Sequence, residues 1–456
     1  MMYVSNTINN FLLTRFSRPF NMKVKFKFKQ LDAEQKNLLF LVSEYVSSGF
    51  YTAVFSFGAV YAIRMGALDS EIGYLTAFPA LLVALLAIPF GDFLQKSHRP
   101  HRWIPISLIA QRSLFLSIVL VPLLFKNTGY IGTVIVVIIV ITSIPQLLNS
   151  LTIFPFYMKV ISEDKRVSFF SATNFSSNLV TGLVVALAGL VLDRLPFPNN
   201  YQLVFAIGVL ISLTSLISFY NVRDPETGER VISSKKTQQQ FIGKQNFLKM
   251  INFRSDFGRV VLNQFVQYSG IWAATPVTII YIINHLNASD AWFGLYNSLM
   301  FWGLLAGWIV ARIIVKRFGE PQTLKWSSHI PPLHPLLIGL SASLTPILFI
   351  NLIYGLVSPV YGLSHNNCLL KAFPPGQEHL AMAVYSTINR IGIFSFSLLG
   401  VFALSYTDNI RIVLIACGLV SLIGSFFFHL FPVRPKSESV DFPCTNLPDQ
   451  GAENHA

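Results

Sequence analysis

Four long apolar segments each carry a row of polar or aromatic side chains that would share one helix face. Within each row the members stand three, four or seven residues apart, which is the spacing of neighbours on an α-helix. Such groups bind small molecules, and they also bind packed helices to one another. Because unpaired polar groups are costly in hydrocarbon, the rows should face protein or water. Their members are Glu44, Ser47, Ser48 and Tyr51; Thr142, Gln146 and Asn149; Gln264, Gln267, Tyr268 and Trp272; and Asn351, Tyr354, Ser358, Tyr361 and His365.

Three charged residues stand out inside these apolar surroundings. Glu44 is the only acidic residue well inside any apolar segment, and a buried carboxyl group can exchange a proton near neutral pH. It is a candidate for proton coupling or for binding a cation; the alternatives are a structural ion pair and a position near the headgroups. Arg112 and Arg390 are candidate interhelix charges. Arg390 could pair with Glu44 or Asp92, and either arginine could instead cap backbone carbonyls.

The sequence lacks the common signatures of enzymes that act in or on membranes. It has no GxxxxGK[ST] motif, which argues against ATP hydrolysis, and no HExxH or GxSxG motif, which argues against an intramembrane hydrolase. Three cysteines are too few for a disulfide framework. We therefore expect no enzyme activity, no cofactor and no metal site.

The elements that must position these residues are membrane spans. Of the 456 residues, 53% are hydrophobic and 12% are charged, whereas a soluble domain carries about 25% charged residues. Twelve segments are long and apolar enough to cross a bilayer. They comprise residues 37–64, 70–94, 103–125, 128–156, 168–192 and 201–220, followed by 258–284, 291–315, 324–344, 346–370, 381–406 and 409–431.

The basic residues predict how these spans are oriented. Of 34 lysines and arginines, 28 lie in the N-terminal segment, the even-numbered loops, the central stretch and the tail, and only four lie in odd-numbered loops. Positive loops stay in the cytoplasm, so the net charge of +13 indicates loops beside anionic lipid rather than a nucleic-acid surface. The predicted units are a cytoplasmic N-terminal segment, a six-span half, a cytoplasmic central loop, a second half and a cytoplasmic tail: residues 1–36, 37–220, 221–257, 258–431 and 432–456.

An internal repeat relates the two halves. When the chain is shifted by 221 residues, landmarks coincide at equivalent points of the second span of each half and of the loop that follows it. The matching pairs are Asp69 with Asp290, Gly73 with Gly294, and Lys96 with Arg317. Two six-helix halves in parallel duplication are typical of one large class of transporters.

With these features the chain resembles the major facilitator superfamily over nearly its whole length. The signature loop of that family, between spans 2 and 3, combines glycine, an acidic residue and basic residues. Here that loop and its equivalent in the second half supply Gly91, Asp92, Lys96 and Arg99, and Arg317 and Gly319; Gln95 and His98 replace the family's acid and second glycine. The resemblance implies that these loops take part in gating and that spans 1, 4, 7 and 10 line a central cavity.

The resemblance implies an all-α integral membrane protein of twelve transmembrane helices, in two pseudo-symmetric halves, that works as a secondary transporter by alternating access. We expect a monomer in the bacterial inner membrane, with membrane lipid, protons and a small molecule as partners. The rows of spans 4, 7 and 10 hold no lysine or arginine, so a neutral or weakly cationic, partly apolar substrate is expected. Proton-coupled export is the leading interpretation; proton-coupled uptake, or a non-transporting protein such as a lipid scramblase or sensor, is the alternative.

The charge distribution makes a direct prediction about topology. A reporter fused at Gln240, in the central loop, should read out as cytoplasmic, because eight basic residues surround that site between residues 223 and 259. A reporter that reads out as external at Gln240 would overturn the orientation.

Overall fold

The structure is a computed structural model that describes residues 33–125, 129–223, 254–374, 378–407 and 409–433. Eleven helices in this part of the chain are long and apolar enough to cross a membrane. The predicted span over residues 324–344, which is divided into two shorter helices, is not among them. The predicted all-α membrane fold is confirmed. Most of the predicted N-terminal segment, central loop and tail lies outside the described residues.

The first half contains six spans, several of them built from two helices in line. Span 1 comprises Ala33–Phe55 and Gly58–Arg64, span 2 is Asp69–Lys96, and span 3 is Trp103–Ser117 continued by Ile118–Leu120 and Val121–Leu124. Span 4 is Ile131–Val160, span 5 is Glu163–Arg194, and span 6 comprises Asn199–Ser212 and Ser215–Asn221.

The second half repeats this order. Span 7 is Asp256–Ile280 with the π-helical turn Tyr281–His285, span 8 is Asp290–Phe318, and span 9 comprises Glu320–Ser327 and Ile330–Leu340. Span 10 is Leu344–Lys371, span 11 is Glu378–Ala403 with the turn Leu404–Tyr406, and span 12 comprises Ile410–Ser425 and Phe427–Leu430.

Span 9, predicted over residues 324–344 with a kink at the prolines of residues 329–335, has that break but different bounds. It begins earlier, at Glu320, and it breaks at Ser328 and His329 before a second helix that ends at Leu340. The break precedes Pro331 and Pro332, which occupy the first turn of the second helix. Proline lacks the backbone N–H that a continuing helix would need, so the sequence starts a new helix there.

The repeat is visible in the packing of the spans. Span 1 packs against spans 5 and 6, as span 7 packs against spans 11 and 12; span 2 packs against span 4, as span 8 packs against span 10. Span 5 meets span 8 across the two halves, and span 2 meets span 11. Even the turns correspond, because Gly66 after span 1 and Asn287 after span 7, which stand 221 residues apart, both have positive φ (87° and 51°).

The ends of the spans define two faces. At one face the start of span 1 is joined to the end of span 6, since Asn37 donates to the carbonyl oxygen of Arg223 at 2.6 Å, and Asn263 of span 7 donates to the carbonyl oxygen of Phe431 at 2.9 Å. We call this the basic face, because the loops rich in lysine and arginine lie there; the other is the opposite face.

Candidate functional site

Two polar contacts join the halves at the opposite face. Arg64, at the end of span 1, forms an ion pair with Asp290 at the start of span 8, with 2.7 Å between guanidinium nitrogen and carboxylate oxygen. Asn284, in the π-helical turn that ends span 7, donates to the carboxylate of Asp69 at the start of span 2 at 2.8 Å. In both contacts the first span of one half meets the second span of the other, so the contacts are related by the repeat. We call these four residues the opposite-face gate.

Glycines allow the backbones to approach closely behind this gate. A Cβ atom added at Gly294 of span 8 would lie 2.7 Å from the carbonyl oxygen of Val185, and one added at Gly189 of span 5 would lie 2.7 Å from that of Asp290. At Gly73 of span 2 an added Cβ would lie 2.9 Å from the side chain of Val401. Since real Cβ atoms do not approach so closely, a larger residue at these positions would push the halves apart.

Ring contacts between the halves continue toward the middle of the membrane. Phe57 of the first half lies 5.7 Å from Phe293 of span 8, and Phe78 of span 2 lies 6.2 Å from Phe394 of span 11, measured between ring centroids. Phe78 is nine residues into span 2, which corresponds to roughly 14 Å from the opposite face. The halves are therefore closed against each other over about half of the membrane thickness.

Toward the basic face the spans expose polar side chains instead. They include Gln146 and Ser150 of span 4, Asn174 of span 5, Asn366 of span 10 and Ser386 of span 11. A polar side chain exposed in hydrocarbon is costly, so polar groups at this depth indicate water. We infer a water-filled space between the halves that opens at the basic face.

The predicted gating loops lie at this face, and the ion pairs seen there stay within one half. Lys96 pairs with Asp92 at 2.6 Å, and Lys371 of span 10 pairs with Glu320 of span 9 at 3.1 Å. Among the remaining loop residues, the guanidinium of Arg317 lies over the ring of Phe318, Gly319 forms the left-handed turn that starts span 9 (φ 76°), and Gly91 and Arg99 are partly exposed.

The polar row of span 1 packs inside the first half. Ser48 donates to Glu44 at 2.6 Å and accepts a hydrogen bond from Arg112 of span 3 at 3.1 Å. Arg112 also donates to Ser215 of span 6 and lies over the ring of Tyr51 at 5.9 Å. Glu44 and Arg112 are only 4% and 1% exposed. The structure thus joins acid and base through one serine, in a buried network between spans 1, 3 and 6.

The remaining members of the span 1 and span 4 rows also serve helix contacts or lie exposed. Ser47 is hydrogen-bonded to Thr214 of span 6 at 2.8 Å, and the hydroxyl of Thr142 bonds to the backbone of its own helix at 2.6 Å. Gln146 is exposed, whereas Asn149 is partly buried.

In the second half the predicted residues of spans 7 and 10 form one group. Tyr361 donates to the side-chain oxygen of Gln267 at 2.8 Å, and its ring lies 6.0 Å from that of Tyr268 and 5.5 Å from that of His365. Tyr268 in turn lies 5.7 Å from Trp272.

This group is completed by two residues of span 11, a span for which no polar row was predicted from the sequence. Tyr385 lies 6.1 Å from His365, and Phe396 lies 6.4 Å from Trp272, both measured between ring centroids. We call the six aromatic side chains the aromatic cluster: Tyr268, Trp272, Tyr361, His365, Tyr385 and Phe396. Its members lie on spans 7, 10 and 11.

The outer part of the span 10 row faces span 9. Asn351 lies 3.2 Å from a ring nitrogen of His334 and donates to the carbonyl oxygen of Tyr296 at 2.6 Å, while the ring of Tyr354 lies 4.3 Å from that of His334. These residues bind helices to each other, and Ser358 is partly buried on the same span.

The hydroxyl of Tyr51 on span 1 is buried without a hydrogen-bond partner among the described residues. Three polar atoms on the rows of spans 4, 7 and 10 share this property. They are the side-chain oxygens of Asn149 and Gln264 and the Nε2 atom of His365. A buried polar atom without a partner costs about 1–3 kcal/mol, so such atoms mark places where water or a ligand completes the bonding. They lie on spans 4, 7 and 10.

The structure contradicts the expectation that Arg390 could pair with Glu44 or Asp92. Arg390 does not pair with Glu44, which is joined to Arg112 through Ser48, or with Asp92, which pairs with Lys96. Within the described ranges Arg390 makes no hydrogen bond or ion pair, and its side chain is partly exposed.

Solved structures share this architecture, which is the fold of the major facilitator superfamily. A POT family transporter in complex with a thioalcohol-conjugated peptide has a TM-score of 0.66 and 14% identity, covering 87% of this chain and 96% of its own. The inward-open xylose transporter XylE from E. coli has a TM-score of 0.61 and 13% identity, covering 89% of this chain and 96% of its own. An inward-facing bacterial homologue of the iron transporter ferroportin has a TM-score of 0.62 and 12% identity, covering 88% of this chain and 99% of its own. The sequence matches no family model and no curated protein.

The buried network predicts a stability effect. Replacing Arg112 with Gln leaves Glu44 buried without its cation, so we expect a loss of about 3–5 kcal/mol, seen as a lower melting temperature of the purified protein. The double variant with Glu44→Gln should lose less than the sum of the two single changes, because the two residues interact.

Lys96→Gln provides the control, since Lys96 is 76% exposed and its ion pair should contribute little. An Arg112→Gln protein as stable as the Lys96→Gln protein would show that the network does not hold spans 1, 3 and 6 together.

Proposed function

We propose that the protein is a secondary transporter that moves a small molecule across the membrane by alternating access. The observation that carries the proposal is the arrangement of the two halves. They are joined at the opposite face by the gate and by close glycine contacts, and they expose polar side chains toward the basic face. This is one end state of a cycle in which two halves rock about a central site.

The structural neighbours support a transporter in this state. Two of them are inward-facing or inward-open, and with the basic face in the cytoplasm this chain would be inward-open as well. Their named cargoes are chemically unrelated, so the fold does not identify the substrate. The substrate must be sought in the site itself.

The aromatic cluster and the unpaired polar atoms support a partly apolar substrate. Rings of Tyr268 and Trp272 offer apolar surface, while the side-chain oxygen of Gln264 and the Nε2 atom of His365 have no hydrogen-bond partner among the described residues. Pockets that combine apolar walls with a few polar groups are typical of small-molecule sites. The weakly cationic character expected from the sequence loses its support, because Glu44 is packed inside the first half rather than beside the aromatic cluster.

We also propose that Glu44 carries a coupled proton, with export as the direction predicted from the sequence. A proton on Glu44 would remove the negative charge that faces Arg112 through Ser48. The network that joins spans 1, 3 and 6 would then be weakened, and span 1 carries Arg64 of the gate at its other end. Protonation would thereby bias the position of a gating helix.

Breaking the gate should open the opposite face. We expect Arg64→Gln or Asp290→Asn to increase labelling of a cysteine placed at Ala288, which is 2% exposed and whose carbonyl oxygen accepts from Arg64. The reagent is a membrane-impermeant maleimide added from the opposite face, after the native cysteines are replaced by serine. Loss of about 1.4 kcal/mol would raise labelling roughly tenfold.

The matched control is Asp256→Asn, which breaks the ion pair with Arg259 within span 7 at the basic face and should leave labelling unchanged. The exchanged pair, Arg64→Asp with Asp290→Arg, should restore protection. Equal labelling in all variants would contradict alternating access through this gate.

Glu44→Gln tests the proton coupling. Gradient-driven accumulation should be lost, whereas exchange of substrate down its own gradient should survive and become independent of pH, because an amide mimics the protonated carboxyl group. Flux is measured in proteoliposomes beside the melting temperature. Some loss of stability is expected in this variant too, because Arg112 then lacks its carboxylate. A pH dependence of exchange like that of the unmodified protein would remove Glu44 from the coupling mechanism.

A further inference from the structure

Among the residues that the structure describes, none pairs with Arg390, a cation in the middle of the membrane. It lies twelve residues after Glu378, the first residue of span 11, which corresponds to roughly 18 Å from the basic face. Its side chain is partly exposed, and it makes no hydrogen bond or ion pair within the described ranges. A charge at this depth is costly unless water or a counter-ion accompanies it.

The position of Arg390 on span 11 turns it toward the space between the halves. Ser386 and Phe394 stand four residues to either side and share its helix face. Ser386 is exposed, and Phe394 contacts Phe78 of the other half. Further along this face, Val401 meets Gly73 of span 2. Arg390 therefore lies where the two halves separate, at the inner end of the water-filled space.

Arg112 shows how the same protein treats an arginine that serves packing. It lies nine residues after Trp103, the first residue of span 3, but it is 1% exposed and bonded to Ser48 and Ser215. At similar depth, one arginine is sealed by hydroxyl groups and lies over a ring, while the other is left open. The difference points to a ligand rather than to helix packing.

We propose that Arg390 binds the carboxylate of the transported molecule, an inference that rests on the proposed transport function. A guanidinium pairs with a carboxylate through two parallel hydrogen bonds. A phosphate would need further basic groups, and the rows of spans 4, 7 and 10 have none. Phe394 stands one helix turn from Arg390 on the same face and contacts Phe78 of the other half, so it offers apolar surface on that face. The substrate class is a small aromatic or apolar carboxylic acid in its anionic form.

Chemical modification tests this directly in the intact protein. Phenylglyoxal, which reacts with accessible arginine, should modify Arg390 but not Arg112, as read by mass spectrometry of the peptides. Phenylacetate and indole-3-acetate at millimolar concentration should protect Arg390, whereas phenylacetamide and indole-3-acetamide should not. An unmodified Arg390, absent protection by both acids, or equal protection by the amides would overturn the proposal.

Variants separate binding from structure. Arg390→Gln should weaken stabilisation by phenylacetate at least tenfold and Arg390→Lys less, with the melting temperature of the ligand-free protein unchanged. A lowered melting temperature like that expected for Arg112→Gln would assign Arg390 a structural role and refute the proposal. Labelling of the Ala288→Cys protein distinguishes this proposal from the proposed transport function. If the gate variants increase that labelling but neither acid protects Arg390, alternating access is supported and only the carboxylate site is rejected.

Discussion

The close approach of the two halves at the opposite face is the constraint on which the other contacts depend. Gly189 and Gly294 bring spans 5 and 8 together so closely that no side chain fits between the backbones. That approach places Asp290 within 2.7 Å of Arg64, and its repeat-related counterpart places Asp69 within 2.8 Å of Asn284. Without a hydrophobic driving force between helices in lipid, such small-residue contacts and polar pairs supply the association. The interface is therefore held by groups that can separate without exposing a large apolar surface.

Much of the architecture could be predicted from the sequence because the bilayer imposes it. Span number, the division into two halves and the polar rows follow from length, hydropathy and periodicity. Pro331 and Pro332 predict where span 9 breaks, but the first and last residues of the span were not predicted correctly. The shift of 221 residues selected Asp69, Asp290, Gly73 and Gly294, and all four lie at the interface between the halves. The internal repeat singled out two residues of the gate. It did not predict their partners, because a repeat shows which positions are equivalent and not which residues are in contact.

What could not be predicted is the direction in which each polar row faces. A row at helical spacing looks the same whether it binds another helix or lines a cavity. The span 1 row turned out to hold Ser47 and Glu44 against spans 6 and 3, and the span 10 row divided, with Asn351 facing span 9 and Tyr361 facing span 7. Only the tertiary contacts distinguish these cases. The contribution of span 11 to the aromatic cluster was missed because Tyr385 and Phe396 are separated by eleven residues and form no polar row of their own.

The two halves share a fold but treat buried charge differently, and this has a consequence for the cycle. In the first half Arg112 is neutralised by the network with Ser48 and Glu44, so movement of that half need not change its environment. Arg390 lies where the halves separate, and closing the basic face would bury it. Burying an unpaired guanidinium is far more costly than burying one paired with a carboxylate. A bound anion would therefore lower the barrier to closure, so that the loaded protein changes state more readily than the empty one. Strict coupling between substrate and conformational change would then follow from the placement of one charge.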